Sequence, residues 1–477
     1  MEVHISLVGR RDLSGEIYRQ LRQAIVEGHM KPGDALPPTR ELATRLSVSR
    51  TTVSVAYDRL WAEGFVSSRT GAGTFVAQHV PMPAPAGDGI APVPPPSLKA
   101  RPVWDTIPLP AIAFGRPGRF DFRTGLPDGS LFPYSTWRRL LADQLRLEAS
   151  GNRIYGDSAG YAGLREAIAR HIAVSRGVVT SAQDVVITNG TQQALDVIAR
   201  TLLEPGDTIA VEEPGYVPPQ FLFRSQGLTL EKVPVDHHGL VVERLSGVAR
   251  VVYVTPSHQY PLGMSMSLQR RLALLSWADA NNAAIVEDDY DSEFRFGGRP
   301  IEPLQTLDRN GRVIYVGSFS KTLLPTLRLG FIVTPPSLRD AMHRAKYVTD
   351  WHTSIAHQVA LARFIDSGDF ARHVRKLRAI YERRHDLVRT ILERDFSDEL
   401  ELIPAAAGLH LTALARRPQA TTVADVLRRA SARGVEAHDL ARISTMPASQ
   451  GIMLGYGAIP TDRIEEGLRL LRESFDS

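Results

Sequence analysis

The residues best suited to chemistry in this sequence begin with one lysine. Lys321 stands in the run GSFSKTLLPTLRLG, in a chain that has 6 lysines and 50 arginines among its 56 basic residues. Arginine stays protonated at any working pH, whereas a shielded lysine can lose its proton and act as a nucleophilic amine. The lysine therefore indicates a reactive amine, although a solvated surface lysine is the simpler alternative.

Two further motifs could serve such an amine. EDDYDSEF ends an apolar run with clustered carboxylates and a tyrosine. It could be a metal site or a solvated loop, but no histidine lies within it to complete a transition-metal set. NGTQQAL joins a strand to a helix, and its Gly190, Thr191 and Gln192 would present backbone amides and a hydroxyl to an anion. Many such turns bind nothing, so each motif is weak by itself.

Together the motifs favour pyridoxal 5′-phosphate as a cofactor, with no metal. Lys321 would form a Schiff base with the aldehyde, and a carboxylate would keep the pyridine nitrogen protonated. The phosphate would bind the strand-to-helix turn and Arg328, the arginine seven residues after the lysine. The order of these motifs along the chain carries the prediction.

A sheet must bring these motifs together. Apolar, strand-like runs alternate with amphipathic, helical ones, as in DVVITNG before TQQALDVIARTLL and LQRRLALLSWADANN before AAIVEDDYDSEF. This order predicts an α/β fold with a mostly parallel sheet wrapped by helices, in which ligands bind at the carboxyl ends of the strands. The polar motifs fall at those ends, so we expect them to meet there.

The composition excludes several classes of protein. The 477 residues include no cysteine, so the chain has no disulfide, thiol nucleophile or thiolate metal site. It has no uninterrupted apolar run of the roughly 18 residues that a membrane span needs, and its start lacks the apolar stretch of a signal peptide. We expect a cytoplasmic protein without a membrane partner. A net charge of +4 is too small to indicate a nucleic-acid partner by itself.

A proline-rich segment divides the chain. Ten prolines fall in the thirty residues from Pro81 to Pro110, a composition that can form neither helix nor sheet and offers little to bury. The sequence therefore predicts a linker over 79–112 between a head, 1–78, and a body, 113–477.

The head reads as three helices and a hairpin. Thr39 is the expected cap of TRELATRL, Ser49 the cap of RTTVSVAYDRLWAEG, and FVSSRTGAGTFVA would form two strands around Gly71 and Gly73. The residues expected to face inward are Ile17, Leu21 and Ile25 in the first helix and Val53, Ala56 and Leu60 in the third. This is the plan of a winged helix-turn-helix.

In that plan the third helix enters the major groove of DNA. The side chains that a cap at Ser49 leaves at the exposed end of this helix are Arg50, Thr51 and Thr52. Such residues can contact base edges, thymine methyls and phosphates, and Arg40 with the glycine-tipped wing could hold phosphates. A small helical domain with a solvated, arginine-rich face is the alternative.

The head resembles a known family. LPPTRELATRLSVSRTTVSVAYDRLWAEGFV and the wing after it, within residues 14–78, are similar to the DNA-binding domain of GntR-type bacterial regulators. Members of that family read DNA as dimers. The resemblance implies that Arg40, Arg50, Thr51 and Gly71 contact a double-stranded operator.

The body resembles fold-type I aminotransferases over roughly residues 114–475. YGDSAGYAGLREAIA, ITNGTQQALD, PGDTIAVEEPGY, EDDYDSEF and SFSKTLLPTLRLG follow in that family's order. The resemblance implies a large part over about 145–340 and a smaller C-terminal part over about 341–477.

The resemblance also assigns roles to residues around the cofactor. Lys321 would be the Schiff-base lysine, Asp288 the partner of the pyridine nitrogen, and Tyr290 the donor to the ring's phenolic oxygen. The other residues implied are Gly190, Thr191, Gln192, Ser318 and Arg328 at the phosphate, Tyr216 against the ring, and Tyr155 in the neighbouring subunit's site. A dimer with shared sites follows.

Head, linker and body together resemble the MocR/GabR family of transcriptional regulators, and TPSHQYPLG and EDDYDSEF are close to that family's spellings. The resemblance implies a body that senses a small molecule and changes how a head-to-tail homodimer places its DNA-binding heads. Known effectors of the family include pyridoxal phosphate itself, taurine and amino-acid-related compounds. The sequence does not choose among them.

An aminotransferase with an accessory DNA-binding domain is the alternative function. Enzymes of this fold usually anchor the substrate carboxylate with a C-terminal arginine, and the position that aligns with it here is Met453. A thioether cannot pair with a carboxylate, so the sequence favours a sensor over an enzyme. Another arginine, for example Arg123 or Arg299, would have to replace that anchor.

Overall fold

The computed structural model describes residues 5–7, 12–69, 71–78, 98–108, 118–144, 155–296, 302–416, 422–444 and 450–476. It has two compact units, Met1–Lys99 and Ala100–Ser477. Most of the segment expected to be a linker, 79–97 and 109–112, lies outside the described residues. No helix in the described ranges is long and apolar enough to cross a membrane.

The first unit has the expected order of elements: α1 (Leu13–Val26), α2 (Thr39–Leu46), α3 (Arg50–Ala62), β1 (Val66–Arg69) and β2 (Gly73–Val76). The two strands are antiparallel, with Val66 opposite Val76. The predicted inward positions of α1 and α3 are all fully buried in one apolar cluster. The winged helix-turn-helix architecture is therefore confirmed.

One of the two expected helix caps is wrong. Ser49 Oγ accepts a 3.1 Å hydrogen bond from the amide of Thr52, so Ser49 caps α3. Thr39 does not cap α2, because Pro38 holds the extended backbone of the capping position and Thr39 is already helical. The hydroxyl of Thr39 instead accepts a 3.3 Å hydrogen bond from Nε of Arg50.

The second unit contains a short strand, β3 (Phe120–Asp121), and then an eight-stranded sheet. The strands of that sheet are β4 (Val185–Thr188), β5 (Thr208–Glu213), β6 (Thr229–Asp236), β7 (Gly239–Leu240), β8 (Ala249–Val254), β9 (Ala284–Asp289), β10 (Val313–Ser318) and β11 (Gly330–Val333). Their order is β4-β11-β10-β9-β8-β5-β6-β7. Since β11 and β7 alone run against the others, the expected mostly parallel sheet is confirmed.

Helices cover both faces of this sheet. They are α4 (Tyr134–Gln144), α5 (Ala162–Arg176), α6 (Thr191–Leu202), α7 (Val217–Ser225), α8 (Leu268–Ala280), α9 (Leu304–Leu307) and α10 (Arg339–Asp350). Neighbouring residues of a strand enter different cores, as Val186 and Ile187 do. This follows from the two-residue repeat of a strand and explains why the strands read as continuous apolar runs.

A smaller C-terminal part packs around a second sheet. The preceding helix, α11 (Ile355–Asp366), still packs in the core of the large sheet against α4 and α5. The C-terminal part comprises α12 (Asp369–Asp395), β12 (Leu400–Leu402), β13 (His410–Ala415), α13 (Val423–Ala432), β14 (Val435–Glu436), β15 (His438–Asp439), β16 (Gly451–Gly455) and α14 (Ile464–Glu473). Strands β12, β13, β16 and β15 form an antiparallel sheet. β14 pairs in parallel with β3. The chain after β3 therefore runs between the C-terminal part and the large sheet.

Candidate functional site

The carboxyl ends of β4, β5, β9 and β10 share one edge of the large sheet, because these strands run in the same direction. Gly190 follows β4, Tyr216 follows β5, and Asp288 lies near the end of β9. Ser318 ends β10, and Lys321 lies three residues beyond it. The topology thus brings the predicted site residues to one edge of the sheet.

The amine of Lys321 is shielded. Its Nζ donates a 2.7 Å hydrogen bond to the carbonyl oxygen of Gly125, in the segment that follows β3. Burial lowers the pKa of Lys321 below its ordinary value, while Asp291 and Asp288 oppose that change. A lowered pKa makes the neutral, nucleophilic form of an amine more abundant near neutral pH.

Asp288 is buried with half of its carboxylate unsatisfied. The hydroxyl of Tyr253 donates a 2.8 Å hydrogen bond to Oδ2, whereas Oδ1 has no hydrogen-bond partner among the described residues. Burial raises the pKa of Asp288 to about 7, although the hydrogen bond from Tyr253 opposes the rise. A buried carboxylate oxygen without a partner is costly. The N–H of a pyridinium ring would supply the missing donor, so this residue fits the expected cofactor.

The expected phosphate site is built from three adjoining segments. Gly190 precedes α6, whose first amides belong to Thr191 and Gln192, and a Cβ atom at Gly190 would lie 2.8 Å from Nη2 of Arg328. The same Nη2 donates a 2.9 Å hydrogen bond to the carbonyl of Asn189. The arginine therefore lies against the amino end of the helix, where backbone amides and the helix dipole favour an anion.

Ser318 joins this site through backbone pairing. It pairs with Gly330 across β10 and β11, and Gly330 packs against Gly190. Its hydroxyl donates a 2.9 Å hydrogen bond to Ser320 Oγ and accepts one of 3.1 Å from the amide of Ser320. Ser320 is a polar neighbour that sequence reasoning missed.

A second buried lysine braces the turn before α6. Asp350 Oδ2 accepts hydrogen bonds of 2.7 Å from the side-chain amides of both Asn189 and Gln193. Lys346, which is fully buried, pairs with Oδ1 of Asp350. Sequence reasoning missed this brace, although the scarcity of lysine that marked Lys321 applies equally to Lys346.

Histidines from other segments approach the acidic motif. Tyr290 Oη donates a 2.9 Å hydrogen bond to the backbone carbonyl of His258, and His258 Nδ1 lies 3.0 Å from Oδ2 of Asp291. His258, Asp291 and His410 each offer one atom that could bind a metal ion, and these three atoms lie within 4.8 Å of one another. Histidines absent from the EDDYDSEF run therefore reach it in the fold, but His258 Nδ1 is engaged with Asp291 and His410 Nε2 with Pro261.

The two remaining tyrosines have different surroundings. Tyr216 is partly exposed, and its ring meets that of Tyr260 edge to face at 5.5 Å. Tyr155 is exposed and stacks on Trp351 at 4.5 Å. The contacts of Tyr155 in one chain are with the surface around Trp351, so its expected role in a neighbouring subunit stays a prediction.

The residue aligned with the usual substrate anchor is part of a core. Met453 is 1% exposed in β16 and packs with Leu262 and Leu440. Of the arginines considered as replacements, Arg123 forms an ion pair with Asp121 at 2.6 Å, and Arg299 lies outside the described residues.

The predicted DNA-contacting residues of the head are mostly exposed. Arg40, Arg50 and Thr51 are exposed, and so is Gly71 at the tip between β1 and β2. Thr52 differs, because its Oγ1 lies 2.7 Å from Ser49 Oγ and its amide donates to the same atom. The hydroxyl of Thr52 is thus shared with the helix cap.

Comparisons with known proteins agree with both units. The family model of bacterial regulatory proteins, gntR family, matches residues 13–76, and that of aminotransferase class I and II matches residues 122–446. The probable rhizopine catabolism regulatory protein MocR of Rhizobium meliloti is 40% identical over 464 residues, 96% of this chain and 93% of the relative.

Two further relatives extend the comparison. The HTH-type pyridoxine biosynthesis transcriptional regulator PdxR of Corynebacterium glutamicum is 30% identical over 450 residues, 94% of this chain and 93% of the relative. The solved structure of Pyrococcus horikoshii kynurenine aminotransferase is 29% identical with a TM-score of 0.69, and the match covers 80% of this chain and 95% of that one.

The fold and these matches define a class of protein, a DNA-binding transcriptional regulator whose fold-type I aminotransferase body takes pyridoxal 5′-phosphate. Within that class, the chain belongs to the MocR/GabR family of regulators.

Proposed function

We propose that this regulator senses an amine-bearing small molecule through pyridoxal phosphate held covalently on Lys321. The observation that carries the proposal is the pair formed by a shielded amine and a buried carboxylate with a free oxygen, both at the same edge of the sheet. Lys321 has a lowered pKa, and Asp288 Oδ1 has no hydrogen-bond partner among the described residues. The amine would bond to the aldehyde carbon of the cofactor, and the carboxylate would accept a hydrogen bond from its pyridine nitrogen.

The other residues would orient the cofactor. Arg328, Ser318 and the amides of residues 190–192 would hold the phosphate, Tyr216 would lie against the ring, and Tyr290 would bond its phenolic oxygen. When bound, pyridoxal phosphate supplies an aldehyde carbon at which a primary amine can replace the lysine, and a ring that withdraws electrons. An amine that displaces Lys321 would leave the lysine free and change the contacts of its nitrogen.

A sensor is favoured over an aminotransferase. Met453 packs with Leu262 and Leu440, so no cation is available at that position to hold a substrate carboxylate. Arg123 is paired with Asp121. Arg299 lies outside the described residues. Unless it supplies an anchor, an amino acid would not be held in a fixed orientation, and efficient transamination needs that orientation. An active aminotransferase with an accessory DNA-binding domain remains the second candidate.

The head would bind the operator DNA. Arg40, Arg50, Thr51 and Gly71 present an exposed surface that suits the backbone and bases of an operator, with Thr52 placed beside them. We propose a head-to-tail homodimer in which Tyr155 reaches the partner subunit's site, so that an effector changes the spacing of the two heads. A protein that acts on bacterial DNA works in the cytoplasm.

Covalent attachment is tested first. The purified holoprotein is reduced with borohydride, digested and mapped by mass spectrometry. We expect the pyridoxyl group on Lys321, a visible cofactor band that Lys321→Ala removes, and an unchanged band in Lys376→Ala, which alters an exposed lysine of α12. A label on another lysine would contradict the proposal.

Effector response is tested with a panel of amines, amino acids, taurine and pyridoxal phosphate. The holoprotein is footprinted on the DNA upstream of its own gene with each compound, and its absorbance is recorded in parallel. We expect one compound class to change both the spectrum and the footprint. Rapid conversion to the pyridoxamine form, with turnover on a keto acid, would instead establish the enzyme.

A further inference from the structure

Tyr290, His258 and Asp291 form a row that leads from the expected cofactor site to two buried side chains. Tyr290 Oη donates to the carbonyl of His258 at 2.9 Å and lies 3.0 Å from Nδ1 of the same residue. That nitrogen lies 3.1 Å and 3.0 Å from the two carboxylate oxygens of Asp291. His258 and Asp291 are each 2% exposed, so water does not replace these contacts.

The hydrogen bonds assign the imidazole proton. The carboxylate of Asp291 can only accept when it is ionised, so Nδ1 of His258 carries the hydrogen and donates it. The opposite nitrogen, Nε2, is buried and has no hydrogen-bond partner among the described residues. A neutral ring with its lone pair at Nε2 satisfies both conditions, whereas a charged ring would bury an unpaired N–H.

The main chain holds this ring in place. Gly408 has a φ of +86°, and a Cβ atom there would lie 2.0 Å from Cε1 of His258 and 2.7 Å from Oδ2 of Asp291. On its other side the ring of His410 lies 5.0 Å away, and burial lowers the pKa of His410 to about 3, so that neighbour is neutral. The imidazole therefore has little room to turn.

We propose that His258 and Asp291 are positioning residues that act through Tyr290 on the proton shared by the cofactor's phenolic oxygen and the nitrogen of Lys321. Asp291 keeps the hydrogen on Nδ1, so this nitrogen cannot accept the hydroxyl hydrogen of Tyr290. In the structure this hydrogen is donated to the backbone carbonyl of His258, and it would turn from there to the phenolic oxygen of a bound cofactor. This inference rests on the proposed function, which places Tyr290 at that oxygen.

The path from Asp291 through His258 to Tyr290 is called the relay below. The sign of the change in the pH midpoint separates this relay from a direct effect of the Asp291 charge. A hydrogen bond donated to the phenolic oxygen weakens its hold on the shared proton, so losing that bond makes the proton harder to remove. Asp291→Asn should therefore raise the pH midpoint of the cofactor's visible absorbance change. A direct effect of the Asp291 charge predicts the reverse, because removing an anion near a cation lowers the cation's pKa.

Other titratable groups also face Tyr290, so the test needs a neighbouring control. Those from the surrounding elements are Glu212, His258, Tyr260, Asp288 and Asp291. Asp289→Asn is the matched control, because this adjacent carboxylate is bonded to Arg176 and Tyr315 instead. It should shift the midpoint less than Asp291→Asn does, because Asp289 is bonded to neither Tyr290 nor His258.

The experiment is a spectroscopic pH titration of the holoprotein and its variants. We expect Tyr290→Phe, His258→Leu and Asp291→Asn each to raise the midpoint by roughly half a unit or more, as loss of one hydrogen bond would. The double variant Tyr290→Phe with Asp291→Asn should shift no further than Tyr290→Phe alone, because both changes interrupt one path. A lowered midpoint in Asp291→Asn, or additive shifts, would overturn the relay.

Failure of the proposed function gives a different result. If wild-type protein shows no cofactor band that depends on Lys321, the site assignment itself is wrong. If that band is present and responds to Tyr290→Phe but not to His258→Leu or Asp291→Asn, only the relay is wrong. Variants that keep the wild-type band height and thermal midpoint have folded and can be compared.

Discussion

Tyr253 donates a 2.8 Å hydrogen bond to Oδ2 of Asp288 and leaves Oδ1 of the same carboxylate without a partner among the described residues. Tyr253 is fully buried in the core under the sheet. The bond fixes the carboxylate through one oxygen, so the other remains available to a ligand.

Asp288→Asn should weaken binding of pyridoxal phosphate about 10-fold to 100-fold, since an amide replaces an anion in a charge-assisted hydrogen bond. Titration of the cofactor-free protein, followed by absorbance, measures the change. Asp289→Asn is the control. It breaks contacts with Arg176 and Tyr315, so it should lower stability while changing cofactor affinity less than about threefold. Equal losses in both variants would contradict the role of Asp288.

Gly190→Ala should disrupt the expected phosphate site. Its Cβ would lie 2.8 Å from Nη2 of Arg328, at a backbone φ of +78°. Gly206 has a φ of +100° with no atom within 4 Å of its Cβ, so Gly206→Ala carries similar backbone strain without the collision. We expect cofactor affinity to fall about 10-fold or more in Gly190→Ala and less than about threefold in Gly206→Ala. Isothermal titration with pyridoxal phosphate would show the difference.

Glu212 should make the cofactor-free body less stable as pH rises. Its Oε2 accepts a 2.6 Å hydrogen bond from Thr255, its Oε1 has no partner among the described residues, and burial raises its pKa to about 7 from 4.5. The folded state therefore keeps a proton that the unfolded chain releases. The contribution of Glu212 to the free energy of unfolding is fully present below about pH 4.5, and it is lost as the pH rises through about 7.

Glu212→Gln removes that ionisation. Relative to wild type, the free energy of unfolding of the variant should increase by up to about 3 kcal/mol between pH 4.5 and 7.5. Denaturant unfolding of the cofactor-free protein at several pH values measures it. A difference between the two proteins that stays constant with pH would show that Glu212 is ionised throughout.

Arg50→Ala should weaken operator binding about 10-fold or more, because an exposed arginine at the amino end of α3 can pair with bases or phosphates. Arg19→Ala is the control, since Arg19 forms ion pairs with Asp12 and Glu16 on the surface of α1. Gel-shift titrations at fixed salt would compare the two variants. If both lose the same affinity, binding depends on the net charge of the head and Arg50 has no special place.

Much of the fold was predictable because local patterns and tertiary structure agree. The strand around Val186 and the helix after Gly190 were recognised from an apolar run, a glycine turn and an amphipathic repeat. Lys321, Arg328 and a carboxylate of EDDYDSEF could be proposed for the same reason, since strand ends are visible in the sequence. The choice of Asp288 within that motif rests on the resemblance to fold-type I aminotransferases. The cap at Thr39 was misassigned because Pro38 satisfies the backbone requirement of a capping residue.

The residues that sequence reasoning missed are brought in by distant segments. His258 and His410 reach Asp291 from a loop after β8 and from β13, and Gly125 reaches Lys321 from 196 residues away. Asp350 braces Asn189 from the end of α10. Their types and spacings carry no local signal, because their contacts depend on how β3 and the C-terminal part pack against the large sheet.

The hydrogen bond from Lys321 to Gly125 has a consequence for how the chain could move. Gly125 lies a few residues after Phe122, whose carbonyl accepts a hydrogen bond from the backbone amide of Gly455 in β16. A protonated lysine offers three hydrogens, but a nitrogen double-bonded to a cofactor carbon has at most one. If the cofactor binds Lys321 covalently, as proposed, the hydrogen bond from this lysine to the main chain before α4 would weaken, while the one between Thr124 and Tyr260 would remain. One of the contacts that join the segment after β3 to the large part of the body would then depend on the covalent state of Lys321.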